Sequence, residues 1–206
     1  MEAFTVLTSI AVSLPEANID TDIIFPARFL LLTQKKGLAK YAFHEKRFDE
    51  HGAEYPNHPL NRQPWSSANI LIAGDNFGCG SSREQAPWAL RDFGIRCVIS
   101  TRFGEIFYSN CFQNGILPIV VGAPQLLALH ADADHQGLLT IDLKNRRIVR
   151  ANGEEIIFEI ADWRREALLN GWDDIAIILN QEAGNIAAFE ARQRQRMPWL
   201  YTSNAT

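Results

Sequence analysis

Apolar residues fall along this chain in short runs punctuated by glycine, proline and small polar clusters. Positions 4–12 alternate in part and are rich in β-branched residues, which predicts a strand. Ile-Leu-Ile-Ala at 70–73 is an unbroken apolar run of strand length, the pattern of a strand buried on both faces. Two further strands are predicted at 95–100 and 117–121, the second entered through Pro118. Helical spacing fits 103–112 and 125–133. Later, 138–143 and 148–149 alternate across Lys144-Asn145-Arg146, and 156–160 follows Asn152-Gly153. This second half reads as a small antiparallel sheet with turns at Asn145 and Gly153. Helical stretches near 162–170, 173–180 and 182–196 finish the chain. Strands interleaved with helices, then a mainly β stretch, predict a mixed α/β domain.

Positions 41–66 break this rhythm, because Gly52, Pro56, Pro59 and Pro64 interrupt any long element. An insertion of this length in a small domain is usually functional or interfacial, and a docking surface is the expectation here. His44, His51 and His58 recur at intervals of seven and would share a face only on a continuous helix. The prolines argue against that helix and against a metal site. With 206 residues, 47% of them hydrophobic, the chain can bury a proper core, and the length favours a single domain over 1–206 with a helical C-terminal segment from about 162. A net charge of −4 gives no electrostatic case for nucleic acid. Positions near the N-terminus lack the basic and apolar regions of a signal peptide, and no run is long and apolar enough to span a bilayer. Three scattered cysteines, Cys79, Cys97 and Cys111, do not form a disulfide framework. A cytoplasmic protein is the expectation.

The chemistry concentrates in 69–94. After the 70–73 strand, Gly74, Gly78 and Gly80 allow a sharp turn, and Ser81 and Ser82 each head a capping box, with Glu84 and Gln85. The helix would run through Trp88, Ala89, Leu90 and Phe93 and stop at Gly94, with Pro87 leaving its start open by several residues. Arg83 opposes the helix dipole at this end. It either seats a small carboxylate beside exposed backbone N–H groups or pairs with a local acid. The glycines match neither a P-loop nor the dinucleotide fingerprint. Asp20-Thr21-Asp22, in a loop closed by Pro26, reads from spacing alone as a turn-capping cluster.

Gly-x-Asn-Phe-Gly-x-Gly-Ser-Ser-Arg-Glu at 74–84 resembles the signature of the aconitase superfamily's swivelling domain. Ala-Pro-Trp-Ala-Leu at 86–90 narrows the likeness to the small-subunit family of 3-isopropylmalate dehydratase. The segments 18–29, 103–110 and 114–118 agree with it. Gln85 stands where the family usually carries histidine. The resemblance implies a layered β/β/α swivelling fold. It implies that Ser81 is the catalytic base, that Ser82 and Arg83 hold a substrate carboxylate, and that Thr21 and Asp22 line the substrate site. Positions 28–40 would set side-chain preference. Arg28 lies too close to be the arginine that aconitase-type sequences carry further along this loop.

A serine acts as a base only where its alkoxide is stabilised by helix N-terminal N–H groups and a nearby cation, and Ser81 has those neighbours in sequence. The Lewis acid that dehydration also needs has no ligands here. The chain has no Cys-x-x-Cys, and Cys79 reads as a small filler or a redox-sensitive neighbour. In the family a [4Fe–4S] cluster belongs to a large subunit, so this chain is expected to bind no cofactor. It would complete a site for a small dicarboxylate in a heterodimer or heterotetramer. By resemblance it takes part in converting 2-isopropylmalate to 3-isopropylmalate through 2-isopropylmaleate, in leucine biosynthesis. The alternatives are a related hydro-lyase small subunit for citraconate/2-methylmalate or 2,3-dimethylmalate, and a non-catalytic carboxylate-binding module. Arg192, Arg194 and Arg196 fit a solvated helix face better than an acidic partner.

Overall fold

Side chains alternate between the two faces of the strands, and this sets the layers. The computed structural model describes residues 1–32, 34–80 and 83–201. Its elements in chain order begin β1 (Val6–Leu14), α1 (Thr21–Ile24), α2 (His44–Arg47), β2 (Ile70–Ala73), α3 (Gln85–Phe93) and β3 (Cys97–Ser100). They continue α4 (Glu105–Gln113), β4 (Leu117–Val120), α5 (Ala123–Asp134), β5 (Leu138–Asp142), β6 (Arg147–Val149), β7 (Glu155–Ile157) and α6 (Asp162–Asn170). Strands β1 to β4 are parallel. Ile70, Ile72, Cys97, Ile99 and Ile119 share one face with Leu126, Leu129 and Ala133 of α5. Leu71, Ala73 and Val98 share the opposite face with Ala86, Ala89 and Leu90 of α3 and Phe107 and Cys111 of α4. Both faces are therefore covered, which is why β2 and β3 are wholly buried and their sequences read as unbroken apolar runs.

The antiparallel strands do not form a sheet of their own. Val6–Ile10 of β1 pair antiparallel with β5, while Ala11–Leu14 pair parallel with β2, giving one seven-stranded sheet of order β4-β3-β2-β1-β5-β6-β7. Pro118 is the second residue of β4 rather than its first. It is tolerated because β4 lies at the sheet edge, where a missing N–H breaks no ladder. In the turn between β5 and β6, Asp142 accepts from the Asn145 backbone and side chain, at 3.0 and 2.6 Å, and Arg146 takes the positive φ.

Segment 41–66 is irregular, as its prolines predict, with α2 and parts of three short 3-10 turns, Ala39–Tyr41, Pro59–Asn61 and Trp65–Ser67, as its helical pieces. The three histidines share no helix. His44 packs against Phe29 and Phe48, His51 is exposed, and His58 accepts from the Leu60 N–H. Residues Met1–Gly171 and Trp172–Thr206 form two compact units. Within the second, Asp173 caps α7 (Asp174–Gln181) by accepting from the Ala176 N–H at 2.8 Å, and α8 (Ala183–Arg196) follows with Arg192, Arg194 and Arg196 on its surface. No helix among the described residues is long and apolar enough to cross a membrane.

Candidate functional site

In a parallel sheet the loops after each strand gather at the carboxyl ends, where ligands commonly bind. Three such loops are joined here by backbone hydrogen bonds. After β1, the 15–22 loop runs beside the 74–80 loop after β2. The Gly78 N–H donates to Ile19 O at 2.7 Å and the Thr21 N–H to Cys79 O at 3.1 Å. The 101–104 loop after β3 closes the other side, with the Phe77 N–H donating to Arg102 O at 3.0 Å and the Gly104 N–H to Phe77 O at 2.9 Å. Glycine is required where these loops meet. A Cβ on Gly104 would lie 2.2 Å from Gly78 O, and one on Gly78, which has φ +70°, would lie 2.3 Å from the Phe107 ring. Asp75 fixes the base of the turn by accepting from Thr101 Oγ1 at 2.8 Å and from Arg102 Nη2 at 2.9 Å.

This packing brings together residues that are some sixty positions apart in sequence. Arg83 Nη1 donates to Asp22 Oδ1 at 2.8 Å. The pair sits at the rim, with Asp22 54% and Arg83 31% exposed. Thr21 is buried beside it. Asp20 fills the capping role that its spacing predicts, its Oδ1 accepting from the Ile23 N–H at 2.7 Å at the start of α1. The acid paired with Arg83 is thus not a sequence-local one but comes from a distant segment, brought there by tertiary packing. One nitrogen of its fork is committed to Asp22, and the Arg83 side chain stays partly exposed. Arg28 stands apart from this group, 3.1 Å from Glu45.

Ser81 and Ser82 lie outside the described residues. Their neighbours correct the expected capping boxes, because α3 begins at Gln85 with Glu84 at its N-cap. Pro87 sets this start. As the third residue of the helix it lies where backbone N–H groups have no intrahelical acceptor, whereas a helix starting at Ser82 would need the N–H that proline lacks. The other end is as expected, with Gly94 at φ +107° and the Ile95 N–H returning to Leu90 O at 2.9 Å.

The donor set does not suit an iron–sulfur cluster. Cys97 and Cys111 are buried in apolar surroundings that push both thiols up, away from the thiolate form a cluster requires. Cys79, in the turn, is a single partly exposed thiol. Among the described residues no three His, Cys, Asp or Glu side chains are grouped to hold a metal.

The profile of the aconitase C-terminal domain matches residues 1–124, and that of the C-terminal domain of the 3-isopropylmalate dehydratase small subunit matches residues 179–203. The chain is 53% identical to the 3-isopropylmalate dehydratase small subunit of Rhodospirillum centenum, across 97% of this chain and 98% of that protein. It is 51% identical to the protein of the same name from Brucella anthropi, across 97% and 100%. The chain belongs to the 3-isopropylmalate dehydratase small-subunit family. A crystal structure of 3-isopropylmalate dehydratase from Methanocaldococcus jannaschii superposes with a TM-score of 0.65 at 27% identity, covering 89% of this chain and 99% of that one. The swivelling α/β fold implied by the sequence signature is therefore the fold of the family, and the family is one of hydro-lyases. The relatives' names favour neither the related hydro-lyases nor the non-catalytic module among the alternatives.

Sequence reasoning missed two contacts beside these loops. Arg102 stands at the rim beside Asp75, and its only sequence signal is a cation directly after a buried strand. Glu84, read as half of a capping box, turns its carboxylate away from its own helix toward Asn114.

Proposed function

We propose that this chain is the small subunit of a cytoplasmic heteromeric enzyme that isomerises 2-isopropylmalate to 3-isopropylmalate through 2-isopropylmaleate, in leucine biosynthesis. The reaction removes a proton from carbon next to a carboxylate, expels hydroxide from the neighbouring carbon, and returns water with the opposite placement. Ser81 is the base that takes the proton. Ser82 and Arg83 hold a substrate carboxylate, the guanidinium fixing its orientation as well as its charge. Thr21 and Asp22 line the same site. Positions 28–40 set the preference for the alkyl group. The Lewis acid for hydroxide departure comes from the large subunit, which carries the [4Fe–4S] cluster; among the described residues none are grouped to hold one here.

The observation that carries this reading is the Arg83–Asp22 contact at the carboxyl ends of β1 and β2. Two residues assigned to one substrate site from separate segments meet there, 2.8 Å apart and half-exposed. An open rim of this kind supports a site completed by a partner. The test is anaerobic hydration of isopropylmaleate, followed by loss of its ultraviolet absorbance. It is run with this chain, with the cluster-bearing large subunit, and with both. Activity is expected only in the mixture. Ser81→Ala is expected to abolish it while the subunits still co-elute, and undiminished turnover would remove Ser81 as the base. Silence of a formed complex with an intact cluster would reject the substrate assignment.

A further inference from the structure

We propose that Glu84 is a positioning residue for Arg83, acting through Asn114 and Lys35. Glu84 stands where α3 begins, directly after Arg83, and makes no cap to its own helix. Its Oε1 accepts from Asn114 Nδ2 at 3.3 Å and lies 3.9 Å from Lys35 Nζ. Lys35 Nζ donates in turn to Asn114 Oδ1 at 3.2 Å and sits 4.8 Å from the centre of the Trp88 ring, one helical turn beyond Glu84. Asn114 is itself fixed as the C-cap of α4. Its Nδ2 also donates to Asn110 O at 2.9 Å and its N–H to Cys111 O at 3.1 Å. Three segments therefore converge on one carboxylate: the 34–40 stretch, the start of α3 and the end of α4.

The consequence falls on Arg83. Asp22 holds its guanidinium from one side, and Glu84 pins the adjacent backbone to α4 from the other. No described side chain caps α3, whose start Pro87 sets, and this contact ties that first turn to the end of α4. A neutral acceptor suffices for the Asn114 bond, whereas the attraction to Lys35 needs the charge. The inference rests on the reading of Arg83 as the carboxylate anchor, and it adds a link between that anchor and the 34–40 stretch.

The experiment uses the reconstituted two-subunit enzyme and isopropylmaleate hydration. Glu84→Ala is expected to raise KM about tenfold with kcat within about twofold, the signature of a misplaced binding group. Glu84→Gln, which keeps the acceptor for Asn114, is expected to restore most of that loss. Lys35→Met, at an exposed position, is expected to raise KM about threefold and guards against a Glu84→Ala protein that fails to fold. In an Arg83→Lys background, Glu84→Ala is expected to change KM no further. An unchanged KM in both Glu84→Ala and Lys35→Met, or a full additional loss in the Arg83→Lys background, would overturn the proposal while leaving Arg83 in place. An Arg83→Lys enzyme with unchanged KM would instead reject the anchor itself, and the proposal with it.

Discussion

Replacing Gly104 by alanine tests whether the loops after β2 and β3 are as tightly joined as the structure shows. The backbone at Gly104 has φ −61° and ψ 131°, which alanine adopts freely, so any effect comes from space alone. The added methyl would sit 2.2 Å from Gly78 O, 2.8 Å from Gly78 C and 2.9 Å from Cys79 Cα, all of them backbone atoms that cannot swing aside. One loop must move by roughly an ångström to restore an ordinary contact. That strains the Gly104–Phe77 and Phe77–Arg102 hydrogen bonds, each contributing about 1 kcal/mol. Overpacking adds about 1–3 kcal/mol. A loss of about 3 kcal/mol follows, or roughly 10 °C in melting temperature for a unit of this size. Gly153→Ala is the control. Its φ of +86° costs alanine about 1 kcal/mol, and nothing lies within 4 Å of the added methyl. Thermal unfolding by circular dichroism separates the two, and hydration activity with the large subunit is expected to fall about 100-fold for Gly104→Ala alone. A Gly104→Ala protein that melts with the parent and keeps full activity would refute the close approach.

Other outcomes follow from the same geometry. Asp22→Asn is expected to lower stability by less than about 1 kcal/mol, because the Arg83 pair is partly exposed, while weakening substrate binding; a large drop in melting temperature with normal KM would reverse that assignment. Burial, with Arg47 and Lys46 nearby, holds the His58 imidazole down at about 4 from the ordinary 6.5. The unfolded chain then binds a proton that the folded chain refuses. Stability is complete above about pH 6.5 and is lost as the pH falls from there to about 4. The full gap corresponds to about 3 kcal/mol, and partial exposure reduces it to about 1–2 kcal/mol. His58→Gln should flatten this acid limb, and an unchanged pH profile of stability would contradict the burial effect. Maleimide is expected to label Cys79 alone in the native protein and all three cysteines after denaturation; rapid native labelling of Cys97 or Cys111 would show that the core opens.

The legible parts of this chain were those decided locally. The strand at Ile70–Ala73 and the stop at Gly94 are written in runs and punctuation, and both stand where the pattern puts them. The start of α3 is not written that way. Two capping boxes and Pro87 make competing claims on it, and only the geometry of the proline's missing N–H decides between them. The antiparallel half was legible as strands but not as part of the same sheet, because the joining element is the near end of β1, more than a hundred positions upstream. The site divides similarly. The residues of the signature were visible as types in order, yet the meeting of Arg83 with Asp22, and of Glu84 with Asn114 and Lys35, is a product of tertiary packing that no spacing encodes.

The dual pairing of β1 also has a consequence for how the protein is made. β1 leaves the ribosome before the strands it pairs with, and its Ala11–Leu14 half can be matched once β2 has emerged. Its Val6–Ile10 half finds no partner until β5 appears, since Val6 pairs with Asp142 and Ile10 with Leu138. At typical elongation rates that interval is on the order of ten seconds, during which a β-rich segment presents an open edge. Synthesis halted before residue 138 leaves that edge permanently unmatched, so such fragments should be caught by chaperones or aggregate rather than accumulate as folded intermediates. The later strands thus protect the first.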